Sequence, residues 1–133
     1  MSKHANRRLA MEAWNAVADG DADRLEGLVA PDLTWHVTGQ SPWKGTHFGI
    51  AAATEYLAAA GESGRAYRTR LDDVLVSDDH ASLICQVSSK RGDHVLEVGY
   101  MLLLRIAEGK IAEVWTLALN PEKVASFWAD SAA

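Results

Sequence analysis

Four long segments of alternating hydrophobicity fill the second half of this chain, and they restrict its fold more than any other feature. The segments are YRTRLDDVLVSD, HASLICQVSSK, HVLEVGYMLLLRIA and KIAEVWTLAL. Short polar breaks at residues 77–79, 91–93 and 108–109 separate them, and such residues are typical of tight turns. Tight turns join antiparallel neighbours, because a parallel connection needs about a dozen or more residues. The sequence therefore predicts antiparallel neighbours in one curved sheet.

Helical spacing of apolar residues precedes these strands and returns once after them. The first helix ends at Gly20, and a short second helix begins at the N-cap Asp21. A third helix covers residues 49–60 and stops at Gly61. The last helix follows the N-cap Asn120, with a proline in its first turn. Three helices are thus expected before the meander and one after it.

The charge balance and the cysteine content exclude several classes of protein. The chain has 133 residues, with 13 Lys and Arg against 18 Asp and Glu. A mildly acidic chain with scattered basic residues argues against nucleic acid as a partner. Cys85 is the only cysteine, so no internal disulfide forms and we expect a reduced compartment, the cytoplasm. No apolar run is long enough for a membrane span, and we expect a single domain over residues 1–133.

Two tryptophans and two histidines cluster within residues 33–50, where an alternating segment breaks into a Gly/Pro loop and then enters an alanine-rich helix. They are Trp35, His36, Trp43 and His47. Large aromatic groups are costly to leave in water, so we expect this loop to line a cavity or to contact another subunit. Strand alternation places Trp35 and Val37 on the inner face, and His36 on the outer face unless the strand twists.

Three motifs, taken in their order along the chain, resemble a known family. They are the acidic turn ADGDADRLEGLVAPDLTW, the loop WHVTG...PWKG...FG, and EGKIAEVW followed by a polar N-cap and an aromatic helix. The chain is similar to the SnoaL-like branch of the nuclear transport factor 2-like superfamily, which also contains ketosteroid isomerase and limonene epoxide hydrolase relatives. The resemblance implies an α+β cone, with a strongly curved antiparallel sheet, three N-terminal helices on its concave face and a short C-terminal helix.

The same resemblance implies a pocket on the concave face, and strand alternation selects the side chains that reach it. On the last strand, apolar bulk favours Trp115, Leu117 and Leu119 as the inward set. The predicted ligand-binding residues are mostly apolar. They are Trp14, Val17, Trp35, Val37, Leu83, Cys85, Val87, Val98, Leu102, Trp115, Leu117, Leu119 and Phe127. We therefore expect an apolar small molecule as the ligand.

The mechanisms of the resembled enzymes do not fit the residues at the matching positions. The base position of ketosteroid isomerase falls near His36, but its acid position falls near Leu102. Two positions of the epoxide hydrolase relay fall on Cys85 and Leu117. The catalytic Asp of SnoaL-type cyclases is replaced by Asn120, which cannot take a proton at neutral pH. These departures favour a divergent enzyme or a binding protein without turnover.

Two functional hypotheses remain. In the first, the protein is a proton-transfer isomerase or cyclase for an apolar carbonyl-bearing or polycyclic compound, with His36 as general base and Tyr100 or Trp115 as hydrogen-bond donor. Glu113 is the other candidate base, provided that it faces the cavity with a raised pKa. In the second, the chain is a ligand-binding or assembly module that has lost the family's catalytic carboxylates.

The expected partners are the small-molecule ligand and a second copy of the chain. We predict a homodimer through the outer face of the sheet, where Met101, Leu103, Val114 and Ala118 leave apolar area. No cofactor and no metal are predicted, because no two metal-ligating side chains stand at ligand spacing on one element.

Overall fold

Within residues 3–39, 41–63, 65–91 and 93–129, the computed structural model contains four helices and six strands. The helices are α1 (Lys3–Ala18), α2 (Ala22–Glu26), α3 (Gly49–Ser63) and α4 (Pro121–Ala129). The strands are β1 (Val29–Val37), β2 (Gly45–Phe48), β3 (Arg65–Val76), β4 (His80–Arg91), β5 (His94–Ala107) and β6 (Lys110–Ala118). No helix in the described part of the chain is long and apolar enough to cross a membrane.

The strands form one sheet in the order β2-β1-β6-β5-β4-β3. The predicted α+β class and the antiparallel meander from β3 to β6 are confirmed. The sheet is mixed, however, because β1 pairs with β6 in parallel. The sequence expectation of an antiparallel sheet was wrong at this pair. The two strands are far apart in sequence, so no turn between them indicates how they pair.

Three boundaries differ from the sequence expectation. Strand β1 begins at Val29 and includes the exposed Pro31, which falls in a register shift against β6 where its missing N–H breaks no ladder bond. Strand β2, expected to be part of a loop, pairs with β1. Helix α3 continues past Gly61 to Ser63, because an internal glycine costs a helix only about 1 kcal/mol.

The predicted caps and turns have the expected geometry. Asp21 caps α2 by accepting a hydrogen bond from the backbone N–H of Arg24 at 3.1 Å. The Asn120 side chain accepts one from the N–H of Lys123 at 3.2 Å, at the start of α4. The turn between β5 and β6 places Glu108 and Gly109 at φ 53° and 76°, the left-handed region that a two-residue hairpin of this type requires.

Helix α1 lies against β3 and β4 through a face of small residues. Ala10, Ala13 and Ala16 are buried there, so the helix approaches the inner face of the sheet closely. Asn6 continues this face and is fully buried. Its side-chain amide donates to the carbonyls of Ser77 and Asp78, at 2.9 and 3.0 Å, and so fixes the β3–β4 turn to the helix.

Replacement of Asn6 by Ala should lower the free energy of unfolding by about 1–3 kcal/mol, because two turn carbonyls lose their donor. The matched control is Asn15→Ala, at an exposed position of the same helix, which should change stability much less. Urea unfolding of both variants measures the difference. Equal losses in the two variants would show that the Asn6 contact contributes nothing specific.

Candidate functional site

A cavity of about 560 Å³ lies between the inner face of the sheet and helices α1, α3 and α4. We call it the central cavity. Eight of the residues predicted to form the site lie in its wall. They are Trp14, Val17, Trp35, Val37, Cys85, Val87, Tyr100 and Leu102. The strand alternation that the sequence predicts therefore describes β1, β4 and β5 correctly.

Four aromatic side chains form one side of the central cavity. Trp35 meets the edge of Tyr56 with ring centroids 5.9 Å apart, and Trp43 lies 6.5 Å from the same ring. Trp128 of α4 packs edge-on against Trp43 at 4.8 Å. His47 stacks on Tyr56 at 4.9 Å and is hydrogen-bonded to the backbone carbonyl of Trp43 at 2.9 Å. This aromatic wall consists of Trp35, Trp43, Tyr56 and Trp128, and it joins β1, the loop before β2, α3 and α4, with His47 of β2 packed against it.

A buried hydroxyl on β6 holds the indole of the aromatic wall. The Nε1–H of Trp35 donates to Oγ1 of Thr116 at 2.8 Å. The backbone carbonyl of Thr116 accepts two more hydrogen bonds from Thr38, one from its N–H at 3.3 Å and one from its hydroxyl at 2.8 Å. The indole N–H of Trp35 is thus already used within the protein.

The Cys85 thiol faces the central cavity from β4. Burial raises the pKa of this thiol to about 11, and the charge of Asp72 acts in the same direction. The sulfur lies 3.6 Å from the backbone carbonyl of Tyr100, to which the thiol donates a weak hydrogen bond. A neutral thiol is a poor nucleophile, so Cys85 acts as a small apolar group in the wall.

Charge is concentrated at one edge of the cavity lining. Among the described lining residues, Asp19 is the only one with an ionisable carboxylate. Its side chain is largely exposed and lies 3.7 Å from the guanidinium of Arg24. The described residues contain no group of three or more His, Cys, Asp or Glu side chains placed to hold a metal ion.

The two candidate bases, His36 and Glu113, lie together on the opposite face of the sheet. His36 Nε2 is 2.5 Å from Glu113 Oε2, and Arg105 Nε donates to the other carboxylate oxygen at 3.1 Å. The hydrogen bond from His36, together with Arg105, holds the pKa of the Glu113 carboxyl below its ordinary value. The sequence hypothesis required Glu113 to face inward with a raised pKa, and both parts of that requirement are wrong.

The reason is the register between β1 and β6. This register sets His36 opposite Trp115 and Val37 opposite Thr116. Since Thr116 and Val114 are buried on the inner face, alternation sends Trp115 and Leu117 outward. The rings of Trp115 and His36 stack there with centroids 5.4 Å apart. The inward assignment of Glu113, Trp115 and Leu117 was therefore wrong.

Four other predicted lining residues lie outside the cavity wall. Leu119, after the end of β6, is 59% exposed. Leu83 is buried beneath α1 in the main core, and Val98 packs with Phe127 in a smaller core under α4. The packing of α1 and α4 against the sheet leaves no open space of the central cavity beside Leu83, Val98 and Phe127.

Sequence reasoning missed several residues that line the central cavity. They are Ser41, Tyr56, Thr69, Ser89, Thr116 and Trp128. Two of these carried a usable signal, because Tyr56 lies on the apolar face of the third helix and Trp128 belongs to the aromatic final helix. Thr116 carried none, since its strand has apolar residues on both faces.

The chain belongs to the SnoaL-like domain family, whose family model matches residues 9–114. The fold is that of nuclear transport factor 2-like proteins, as the sequence predicts. An uncharacterized protein of Mycobacterium tuberculosis is 28% identical over 132 residues, which cover 97% of this chain and 100% of that relative.

Two solved structures illustrate the shared fold. Bal32a, from a soil-derived mobile gene cassette, has a TM-score of 0.88 at 23% identity, covering 95% of this chain and 98% of that one. TerC, co-crystallized with polyporic acid, has a TM-score of 0.76 at 14% identity, covering 86% of this chain and 91% of that one.

The lowered pKa of Glu113 predicts an acid-sensitive contribution to stability. The native state binds a proton at this carboxyl less readily than the unfolded state does, so the contribution is present above the ordinary pKa of 4.5. It is lost as the pH falls through the lower native pKa. Glu113→Gln should therefore destabilise the protein near neutral pH, by at most about 1 kcal/mol for a partly exposed ion pair.

The deficit of Glu113→Gln relative to the wild type should shrink as the pH falls below 4.5 and through the lower native pKa. Urea unfolding across a pH series measures it, with Glu97→Gln at an exposed position of β5 as the control. A deficit that stays constant down to the acid transition would contradict the assignment.

Proposed function

We propose that this protein binds an apolar, polycyclic small molecule in the central cavity. The observation that carries the proposal is the cavity itself, whose volume of about 560 Å³ is within the usual range for ligand sites of about 300–1,000 Å³. The aromatic wall offers ring faces and edges, which favour flat aromatic ligands. The co-crystallization of the structural neighbour TerC with polyporic acid supports testing polycyclic carbonyl compounds first.

Binding without proton transfer fits the described lining better than isomerase or cyclase chemistry. The described lining contributes no histidine, its thiol is neutral, and its one carboxylate is the exposed Asp19 at an edge. A general base must lie within hydrogen-bond reach of the proton that it abstracts. His36 and Glu113 are separated from the cavity by the sheet. Of the two sequence hypotheses, we therefore propose the binding module.

Tyr100 remains a candidate for contact with the ligand. Its side chain belongs to the cavity wall, between Cys85 and Ala118 of the neighbouring strands. Its proposed role is to add a hydroxyl group to a wall that is otherwise mainly apolar. The catalytic role considered from the sequence would need a base partner inside the cavity.

A cavity-filling substitution tests the binding site. Val87→Phe adds volume to the cavity wall, whereas Val95→Phe makes the same change at a position of β5 that is 57% exposed. Excess volume costs about 1–3 kcal/mol, so Val87→Phe should weaken binding of 9-fluorenone about tenfold. Quenching of tryptophan fluorescence measures the affinity.

The control Val95→Phe should bind 9-fluorenone like the wild type. Absence of saturable binding to the wild type, or equal affinities of the two variants, would refute this site.

We also propose that the protein forms a homodimer through the outer face of the sheet. Cross-strand pairing places partly exposed apolar side chains next to one another on this face. They are Ile84, Met101, Leu103, Trp115 and Leu117. The sequence assigned Val114 and Ala118 to this surface, but that assignment was wrong. Val114 is buried in the main core, Ala118 packs against the smaller core, and Trp115 and Leu117 lie on the outer face instead. A contiguous apolar surface of this kind favours association.

Sedimentation velocity tests the homodimer. The wild type should sediment as a dimer at micromolar concentration, and Leu103→Glu should sediment as a monomer because the charge cannot be buried against a second copy. Met11→Glu, at a position of α1 that is 37% exposed on the other side of the sheet, should leave the dimer intact. A monomeric wild type would contradict the proposal.

A further inference from the structure

Thr116 is the polar group most firmly held in the wall of the central cavity. Its side chain is 7% exposed and lines the cavity from β6. The oxygen accepts the indole hydrogen of Trp35 at 2.8 Å. Trp35 is itself buried and braced by the edge contact with Tyr56. The direction from which Thr116 accepts its hydrogen bond is therefore fixed.

The hydroxyl hydrogen of Thr116 must then point away from the indole. Within the described part of the chain this hydrogen has no acceptor, since the only side-chain hydrogen bond of Thr116 is the one from Trp35. A hydroxyl that accepts a hydrogen bond becomes a stronger donor through its own hydrogen. The pair thus presents an oriented donor to whatever occupies the cavity.

We propose that the Thr116 hydroxyl orients the ligand by donating a hydrogen bond to a neutral acceptor oxygen, the carbonyl of a polycyclic ketone or quinone. Trp35 is a positioning residue that acts through Thr116. The proposal rests on the binding function proposed above and names the chemical class of the ligand.

A neutral oxygen fits the cavity better than a carboxylate does. Among the described lining residues no Lys, Arg or His side chain is present to compensate a buried anion. The one charged group among the described lining residues is the carboxylate of Asp19, which would repel an anion. Burial of an uncompensated charge is costly, whereas a carbonyl needs only one good donor.

Ser89 provides an internal control for the loss of a hydroxyl. It also lines the cavity and is 4% exposed. Thr116 pairs with Leu102 of β5, whereas Ser89 pairs with Leu96. Six residues of strand correspond to about 20 Å, so the two hydroxyls cannot reach the same ligand atom.

A matched pair of probes separates the hydrogen bond from the shape of the cavity. 9-Fluorenone and fluorene have nearly the same shape, but only the first has a carbonyl. Thr116→Val should weaken 9-fluorenone binding about 3- to 10-fold and leave fluorene binding unchanged. Thr116→Ser keeps the hydroxyl and should restore binding of 9-fluorenone, whereas Ser89→Ala should leave the ratio of the two affinities at its wild-type value. Trp35→Phe, which keeps the hydroxyl but removes the donor that holds it, should weaken 9-fluorenone more than fluorene.

The outcomes distinguish this inference from the proposed function. If Thr116→Val weakens both probes equally, or Ser89→Ala reproduces its selective loss, the orienting role of Thr116 is wrong while the cavity remains a binding site. If the wild type binds neither probe, the proposed function fails and this inference fails with it. If Thr116→Val does not fold, Trp35→Phe tests the proposal instead. An equal effect of Trp35→Phe on the binding of both probes would overturn it.

Discussion

The parallel pairing of β1 with β6 determines the two faces of the sheet on which the candidate site depends. It sets Val37 beside Thr116 on the inner face and His36 beside Trp115 on the outer face. Because side chains alternate along a strand, a slip of one residue would exchange Thr116 for Trp115 in the cavity wall. It would also bury the Glu113 carboxylate among apolar groups. Desolvation of that charge disfavours the slipped register strongly.

Local patterns predicted the elements whose causes are local. Turn residues such as Glu108 and Gly109, and caps such as Asp21, act within four or five residues and were identified correctly. The pairing of β1 with β6 brings together segments about eighty residues apart, as in Trp35 and Val114, and no short-range pattern encodes it. Strand β2 is short and mostly exposed, so it lacks an apolar alternation that would identify it.

The site was predictable where one face of a strand is apolar and the other is polar. Strand β4 alternates Cys85 and Val87 with Gln86 and Ser88, and its inner face was assigned correctly. Strand β6 has apolar residues at both parities, because its outer face is itself apolar around Trp115. The larger apolar side chains are Trp115, Leu117 and Leu119, and their size led to the wrong prediction that this set faces inward. A strand with two apolar faces can be assigned only from the packing of its neighbours.

Helix α1 explains why the same fold contains both a core and a cavity. At its N-terminal half, the small residues around Ala10 let the backbone approach the sheet, and Asn6 fixes the distance by binding the β3–β4 turn. Toward its C-terminal end the helix carries Trp14 and Val17, whose larger side chains line the cavity. Ala13 and Ala16 are also buried, so the helix stays close to the sheet along its length while it forms one wall of the cavity. Its position depends on these small residues, so a change that enlarges Ala10 or Ala13 would alter the site from a distance, by moving the helix that forms its wall.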